Sequence, residues 1–178
     1  MCDDEYQIYS AVLSLVQFPK NDPHAVINDL TLNLQCGENS QNPVLLNGCS
    51  PMRANGETPQ EISVFLRENF RNSSKATVDS FNLINQKSIR IKDNIATPWK
   101  HRLAGTDIQD DGSPEWASPD MAFFLSGVGF NSQRTEAIVF VLNFSYLDKV
   151  PTEGDYFLFR RKGKTWQPDG RVTYVQNE

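Results

Sequence analysis

The chain has 178 residues, 39% of them hydrophobic, with eleven Phe, five Tyr and three Trp, which is enough apolar material for one core and a single domain spanning 1–178. Its net charge of −5 comes from 22 acidic and 17 basic side chains spread along the chain, and the absence of a Lys/Arg cluster argues against a nucleic-acid partner. The longest mostly apolar stretches, such as Ala137 to Leu142, fall far short of the roughly 20 residues that cross a bilayer, so no transmembrane segment is expected.

In chain order, Met1 stands directly before Cys2-Asp3-Asp4, with no apolar leader ahead of it. This resembles the start of a bacterial lipoprotein, whose mature chain begins at a lipidated cysteine, and makes Cys2 a lipidation candidate; an ordinary native start is the alternative. From Asp4 to Val16, Tyr6, Ile8, Tyr9, Val12, Leu13 and Val16 recur at spacings of three and four, the stripe of an amphipathic helix. Asp3, Asp4 and Glu5 suit its N-terminal dipole. Pro19 and Pro23 end the pattern, and Ala25 to Leu32 has the β-branched content of a strand.

Residues 35–57 form an excursion rich in Gly, Pro, Asn and Ser that carries Cys36 and Cys49. A disulfide between these two would stabilise the fold by roughly 3 kcal/mol in the chain-entropy model and would suit an exported protein. Two free thiols in a cytoplasmic protein are the alternative. Zinc is not expected from two sulfurs this far apart with no CxxC and no nearby histidine.

Thr58-Pro59-Gln60-Glu61 reads as a capping box with proline at the first helical position. Ile62, Phe65, Leu66 and Phe70 supply the buried face of this second helix, which Asn72-Ser73-Ser74 closes. Phe81, Leu83, Ile84, Ile89, Ile91 and Ile95 then point to one or two further strands. Residues 97–120 show no period and read as a long surface loop holding Trp99 and Trp116.

From Met121 the chain predicts strands over Met121–Phe130, Thr135–Phe144, Tyr156–Arg161 and Val172–Val175, separated in part by turn chemistry at 131–133, 153–155 and 162–164. Sequential strands joined by short turns pair antiparallel, so the C-terminal portion is a β-meander. The expected fold is α+β: an antiparallel sheet packed on one face by two helices, a two-layer sandwich.

Several of these segments carry a resemblance. Phe124-Leu125-Ser126-Gly127-Val128-Gly129-Phe130-Asn131 and Thr135 to Val141 resemble the "SRVGFN…QALVYV" core of an uncharacterised family of bacterial, exported proteins. The "GYYLL" and "GKW" strands of that family are similar to Gly154 to Phe159 and to Gly163-Lys164-Thr165-Trp166. Near the start, Glu5 to Leu13 and Val26 to Thr31 also resemble it. Gly127 stands where the family usually has Arg, and Ser145 to Thr152 replaces its Gly-rich turn. The family has no established activity, so the resemblance implies fold and export and transfers no catalytic residue.

No cofactor fingerprint, GxSxG or HExxH motif is present. Asp107, Asp110 and Asp111 with Glu115 would offer oxygen ligands, but their spacing does not fit a calcium loop, and a solvated acidic loop is the ordinary reading. A triad would require His24 or His101 to meet Ser126 or a thiol in space, and paired carboxylates would require Asp29 to meet Asp79 or Glu136. Asn72 and Asn143 head glycosylation sequons that are coincidental in a bacterial protein. Strict alternation places either Tyr156 or Phe157 on an outer sheet face, and these two residues with Trp99 and Trp116 are the candidate contacts.

The sequence therefore supports a non-catalytic, exported domain, periplasmic or lipid-anchored, that binds a protein or another cell-envelope component. A cytoplasmic protein is the alternative location, and a hydrolase with an acidic site near Asp29 or at 107–111 is the alternative function. A deep pocket holding two or more carboxylates or a histidine with converging hydrogen bonds would favour the enzyme, and a flat or shallow apolar patch would favour binding. A sheet fully covered by helices would favour a purely structural module.

Overall fold

The computed structural model describes residues 3–16, 24–32, 58–104, 120–145 and 150–174. Within them lie α1 (Asp3–Leu13), β1 (His24–Asn28), α2 (Pro59–Asn69), α3 (Lys75–Ile84), β2 (Lys100–Ala104), β3 (Met121–Leu125), β4 (Gly129–Phe130), β5 (Glu136–Ser145), β6 (Val150–Lys162) and β7 (Thr165–Tyr174). The protein is α+β.

The strands form one sheet in the order β2-β1-β3-β5-β6-β7, with β4 also paired to β5. From β3 onward neighbours run antiparallel. The sheet as a whole is mixed rather than antiparallel, because β1 pairs in parallel with both β2 and β3. The stretch expected to be a loop from residue 97 contributes β2, and parallel pairing is possible there because β1 and β2 are joined through α2 and α3.

Layering departs further from a two-layer sandwich. On one face α1 packs Ile8, Tyr9, Val12 and Leu13 against Ile27, Phe123, Val139 and Phe159. On the other, α2 and α3 set Ile62, Leu66, Val78 and Phe81 against Phe124, Ile138, Phe140 and Leu158. Both faces are thus covered, and Ala137 to Leu142 is apolar at every position because successive side chains enter opposite cores. Tyr156 and Phe157 follow the same rule: at 0% and 6% exposed they sit in the two cores, not on an outer aromatic surface.

The capping box forms as its residues dictate, with the Thr58 amide donating to Glu61 Oε2 at 2.6 Å and the Glu61 amide donating to Thr58 Oγ1 at 3.3 Å. The expected strand around Phe81 is instead α3. Ser74 caps it through the Thr77 amide, and Val78 and Phe81, three apart, share its buried face. Ile89 and Ile91 flank an isolated bridge between Leu30 and Arg90.

Turns at 131–135 and 163–164 close hairpins, the second with Gly163 at φ 63°. The turn expected at 153–155 does not exist, because Gly154 lies inside β6. A Cβ there would meet Phe140 Cζ at 2.3 Å, so this glycine makes room for a ring rather than for a bend.

Candidate functional site

Ser126 holds the middle of the molecule together. Residues 126–128 bulge out between β3 and β4, three residues facing two on β5. Polar side chains satisfy the interrupted ladder: Ser126 Oγ accepts the Phe140 amide at 2.8 Å, and the Tyr9 hydroxyl donates to the Ser126 carbonyl at 2.9 Å. The Gly127 amide donates to Asn85 Oδ1 at 2.7 Å, while Asn85 Nδ2 donates to the Gly127 carbonyl at 3.1 Å. Burial, with the Glu5 and Tyr6 charges adding to it, pushes the Tyr9 pKa well up, which keeps the phenol a donor. Ser126 is fully buried and its hydroxyl donates to the Gly127 carbonyl. It serves the bulge, not a substrate.

Neither histidine reaches it. His24 opens β1 and His101 pairs with Ala25, whereas Ser126 follows the far end of the parallel β3. At about 3.3 Å per residue, five or six residues of strand separate them, roughly 15–20 Å.

The carboxylates whose pairing an acidic site would require each have a different basic partner. Asp29 binds Arg90 at 2.7 Å. Asp79 binds Lys75 and Arg67 on the outside of the helices. Glu136, 3% exposed, accepts from the Ser74 amide at 2.7 Å and the Thr77 hydroxyl at 2.6 Å, and pairs with Arg160 at 2.9 Å. It anchors the start of α3 to the sheet. Asp155 is held by Arg171 and Thr173.

One arrangement was invisible in the sequence because its residues carry no motif. His101 Nδ1 lies 2.9 Å from Thr97 Oγ1, and its Nε2 lies 3.2 Å from Asp93 Oδ1. Thr97 Oγ1 also donates to the Trp99 carbonyl at 2.6 Å. Trp99 stacks on Phe123 with ring centroids 5.3 Å apart, so this tryptophan is pinned against the core. A hydroxyl, an imidazole and a carboxylate are therefore wired in series within nine residues, in front of β2.

The second arrangement is a groove of about 940 Å³ along the exposed flank of α1. Tyr6, Gln7 and Ser10 line its length, Asn94 and Ala96 form one wall, and the β6–β7 turn at Lys164 to Trp166 forms the other. Hydrogen bonds hold both walls. The Lys92 amide donates to the Tyr6 hydroxyl at 3.1 Å and the Ala96 amide to Ser10 Oγ at 2.9 Å. Opposite, Trp166 Nε1 donates to Asp4 at 3.2 Å, and Arg134 and Arg161 pair with the same carboxylate at 3.0 and 3.4 Å. Burial works to raise the Asp4 pKa, but the Trp166 and Arg134 hydrogen bonds and the two guanidinium charges outweigh it and hold the carboxyl below its ordinary 3.8.

Trp116, the cysteines at 2, 36 and 49 and the acidic residues at 107–115 lie outside the described residues. Among the described residues no three His, Cys, Asp or Glu side chains converge on a metal position, and no helix is long and apolar enough to cross a membrane. Comparison of the chain with protein-family models, with curated proteins and with solved structures found no match in any of the three.

Proposed function

We propose that this chain is an exported, non-catalytic domain that binds a protein or another component of the cell envelope, and that the α1 groove is its contact surface. The observation that carries the reading is a concave surface whose walls are pinned by hydrogen bonds while four of its polar side chains, Asp3, Gln7, Asn94 and Lys164, make none to another described residue. Cover on both sheet faces favours a purely structural module, and the convergence of these side chains on one groove is what weighs for binding. Burial of the sheet faces moves the contact surface off Tyr156 and Phe157 and onto the flank of α1.

The export part of the reading rests on the family resemblance and on Cys2, and the disulfide between Cys36 and Cys49 belongs with it. A photoreactive phenylalanine analogue placed at Gln7, and in a control at Val64 on the exposed side of α2, tests the contact surface in an envelope preparation of the source organism. A discrete adduct from position 7, competed by excess unlabelled protein and absent from position 64, is the expected result. Equal labelling from both positions, or none from either, would reject it.

A second reading is favoured by the Thr97–His101–Asp93 series, whose 2.9 and 3.2 Å spacings fall within or at the edge of the range of a nucleophile, base and orienting acid. Against it, the Thr97 hydroxyl is committed to the Trp99 carbonyl. Activated-ester hydrolysis that disappears in both Thr97→Val and His101→Gln would establish this hydrolase reading. Activity no higher than buffer would remove it.

A further inference from the structure

We infer that His101 is a proton-operated clasp on the 93–97 segment, closed while both ring nitrogens carry a proton and released at the Asp93 end when the ring loses one. Counting donors leads there. The Trp99 carbonyl can only accept, so its 2.6 Å contact with Thr97 Oγ1 uses the single hydroxyl proton of Thr97. Thr97 Oγ1 therefore meets His101 Nδ1, 2.9 Å away, as an acceptor, and the proton in that bond belongs to the ring. An ionised carboxylate also only accepts, so the 3.2 Å contact between Nε2 and Asp93 Oδ1 takes a second ring proton. Both nitrogens donate, which is the imidazolium form.

A neutral ring cannot make both bonds. Either the Nε2 lone pair faces the Asp93 carboxylate, or Nδ1 takes the Thr97 hydroxyl proton and the Trp99 carbonyl loses its donor. The Asp93 side chain is 68% exposed and the His101 side chain 14%, so water replaces the outer bond more readily than the inner one. The proton that leaves is the one on Nε2, and the neutral ring keeps Nδ1–H. In its closed form the ring has no lone pair to act as a base, which separates the clasp from the hydrolase reading.

No other described charge competes for the ring. Lys100 and Arg102, its neighbours on β2, point to the opposite sheet face by alternation. Ala25, its partner on β1, and Met121 beyond it carry no charge. The charged residues of α1 are Asp3, Asp4 and Glu5 in its first turn, whereas α1 meets this segment through the Tyr6 hydroxyl, on the Lys92 amide, and Ser10.

What the clasp holds is one wall of the α1 groove. Asp93 and Thr97 bracket Asn94 and Ala96, and His101 grips both ends of that stretch from β2, which the pairing with β1 keeps in place. The Trp99 ring packs edge-on to the imidazole at 6.0 Å and stacks on Phe123, fixing the orientation of the clasp. Histidine is the side chain whose charge ordinarily changes between about pH 5 and 8, so the wall is fixed at the acid end and freed at residue 93 at the alkaline end. This holds whether or not the groove binds a partner.

The test follows the ¹⁵N-labelled full chain by NMR from about pH 5 to about pH 8, reading the protons on the His101 ring nitrogens and the backbone amides of Asp93 and Asn94. Two protonated ring nitrogens are expected at the acid end, an Nδ1–H ring at the alkaline end, and amide shifts that share the midpoint of the ring. Asp93 is exposed, so Asp93→Ala leaves the core intact, and in it the Asn94 shift should shrink several-fold. In Thr97→Val the neutral ring should carry its proton on Nε2 instead. A neutral ring with Nε2–H in the parent protein, amides that stay still while the ring titrates, or an Asn94 shift undiminished in Asp93→Ala would each overturn the clasp.

Discussion

The side-chain amide of Asn85, at the end of α3, pairs with both backbone groups of Gly127, at 2.7 Å to its N–H and 3.1 Å to its carbonyl. One amide thereby replaces the strand that the bulge leaves missing, and because Asn85 Nδ2 also donates to the Phe81 carbonyl at 2.8 Å, it ties helix and sheet together. Asn85 is fully buried, so Asn85→Ala strands backbone groups away from water. The expected loss is roughly 2–4 kcal/mol, at about 1–3 kcal/mol per orphaned group, read as a shift in the urea midpoint with little change in slope.

Glycines sort by what surrounds them. A Cβ at Gly129 would lie 2.3 Å from Phe81 Cα, a backbone atom of α3 that cannot move without displacing the helix. A Cβ at Gly163 meets nothing within 4 Å, although its φ of 63° disfavours other residues. Gly129→Ala should therefore cost at least about 3 kcal/mol, and Gly163→Ala only about 1–2 kcal/mol of backbone strain. Thermal melts of the two variants side by side check the order.

Legibility in the sequence followed the range of the interactions. Thr58 to Glu61 and the stripe of α1 are local patterns, and both appear where the spacing places them. Parallel pairing of β1 and the third helix were hidden for different reasons. Val78 and Phe81 share a helical face, but the following Ile84, Ile89 and Ile91 carry β-branched side chains that mimic a strand. Gly154 reads as a turn until the Phe140 ring is seen against it. The candidate groove draws on α1, the 92–96 segment and a hairpin tip, and no linear spacing links Gln7, Asn94 and Lys164.

Acid should loosen the same corner of the molecule. The folded pKa of Asp4 lies below its ordinary 3.8, so the carboxylate contributes stability that is complete above the unfolded value and is lost as pH falls through the folded one. Stability measured from pH 6 downward should decline below about pH 4, and Asp4→Asn should remove part of that decline while lowering stability at pH 6. Trp166 fluorescence reports the step locally, since its indole N–H donates to this carboxylate.

Glu136 illustrates the cost of breaking a buried charge cluster. It is 3% exposed, and Arg160, whose pKa is raised chiefly by its hydrogen bond to Asp169, with Glu136 adding to it, pairs with it at 2.9 Å. Glu136→Ala should lose about 2–3 kcal/mol, because it takes the acceptor from the Ser74 amide and the Thr77 hydroxyl at the start of α3, while Arg160 keeps Asp169 and the Asn72 carbonyl. Amide hydrogen exchange should show the loss concentrated in the first turn of α3, around Thr77 and Val78.

The flank of α1 is the proposed surface for a partner. Mapping amide shifts when the cross-linked partner, once identified, is added to the labelled protein tests this most directly. We predict that the perturbed amides cluster at Gln7, Asn94 and Thr165 and leave Thr97 and His101 unchanged. Perturbations centred on residues 97–101, with the flank of α1 silent, would contradict it.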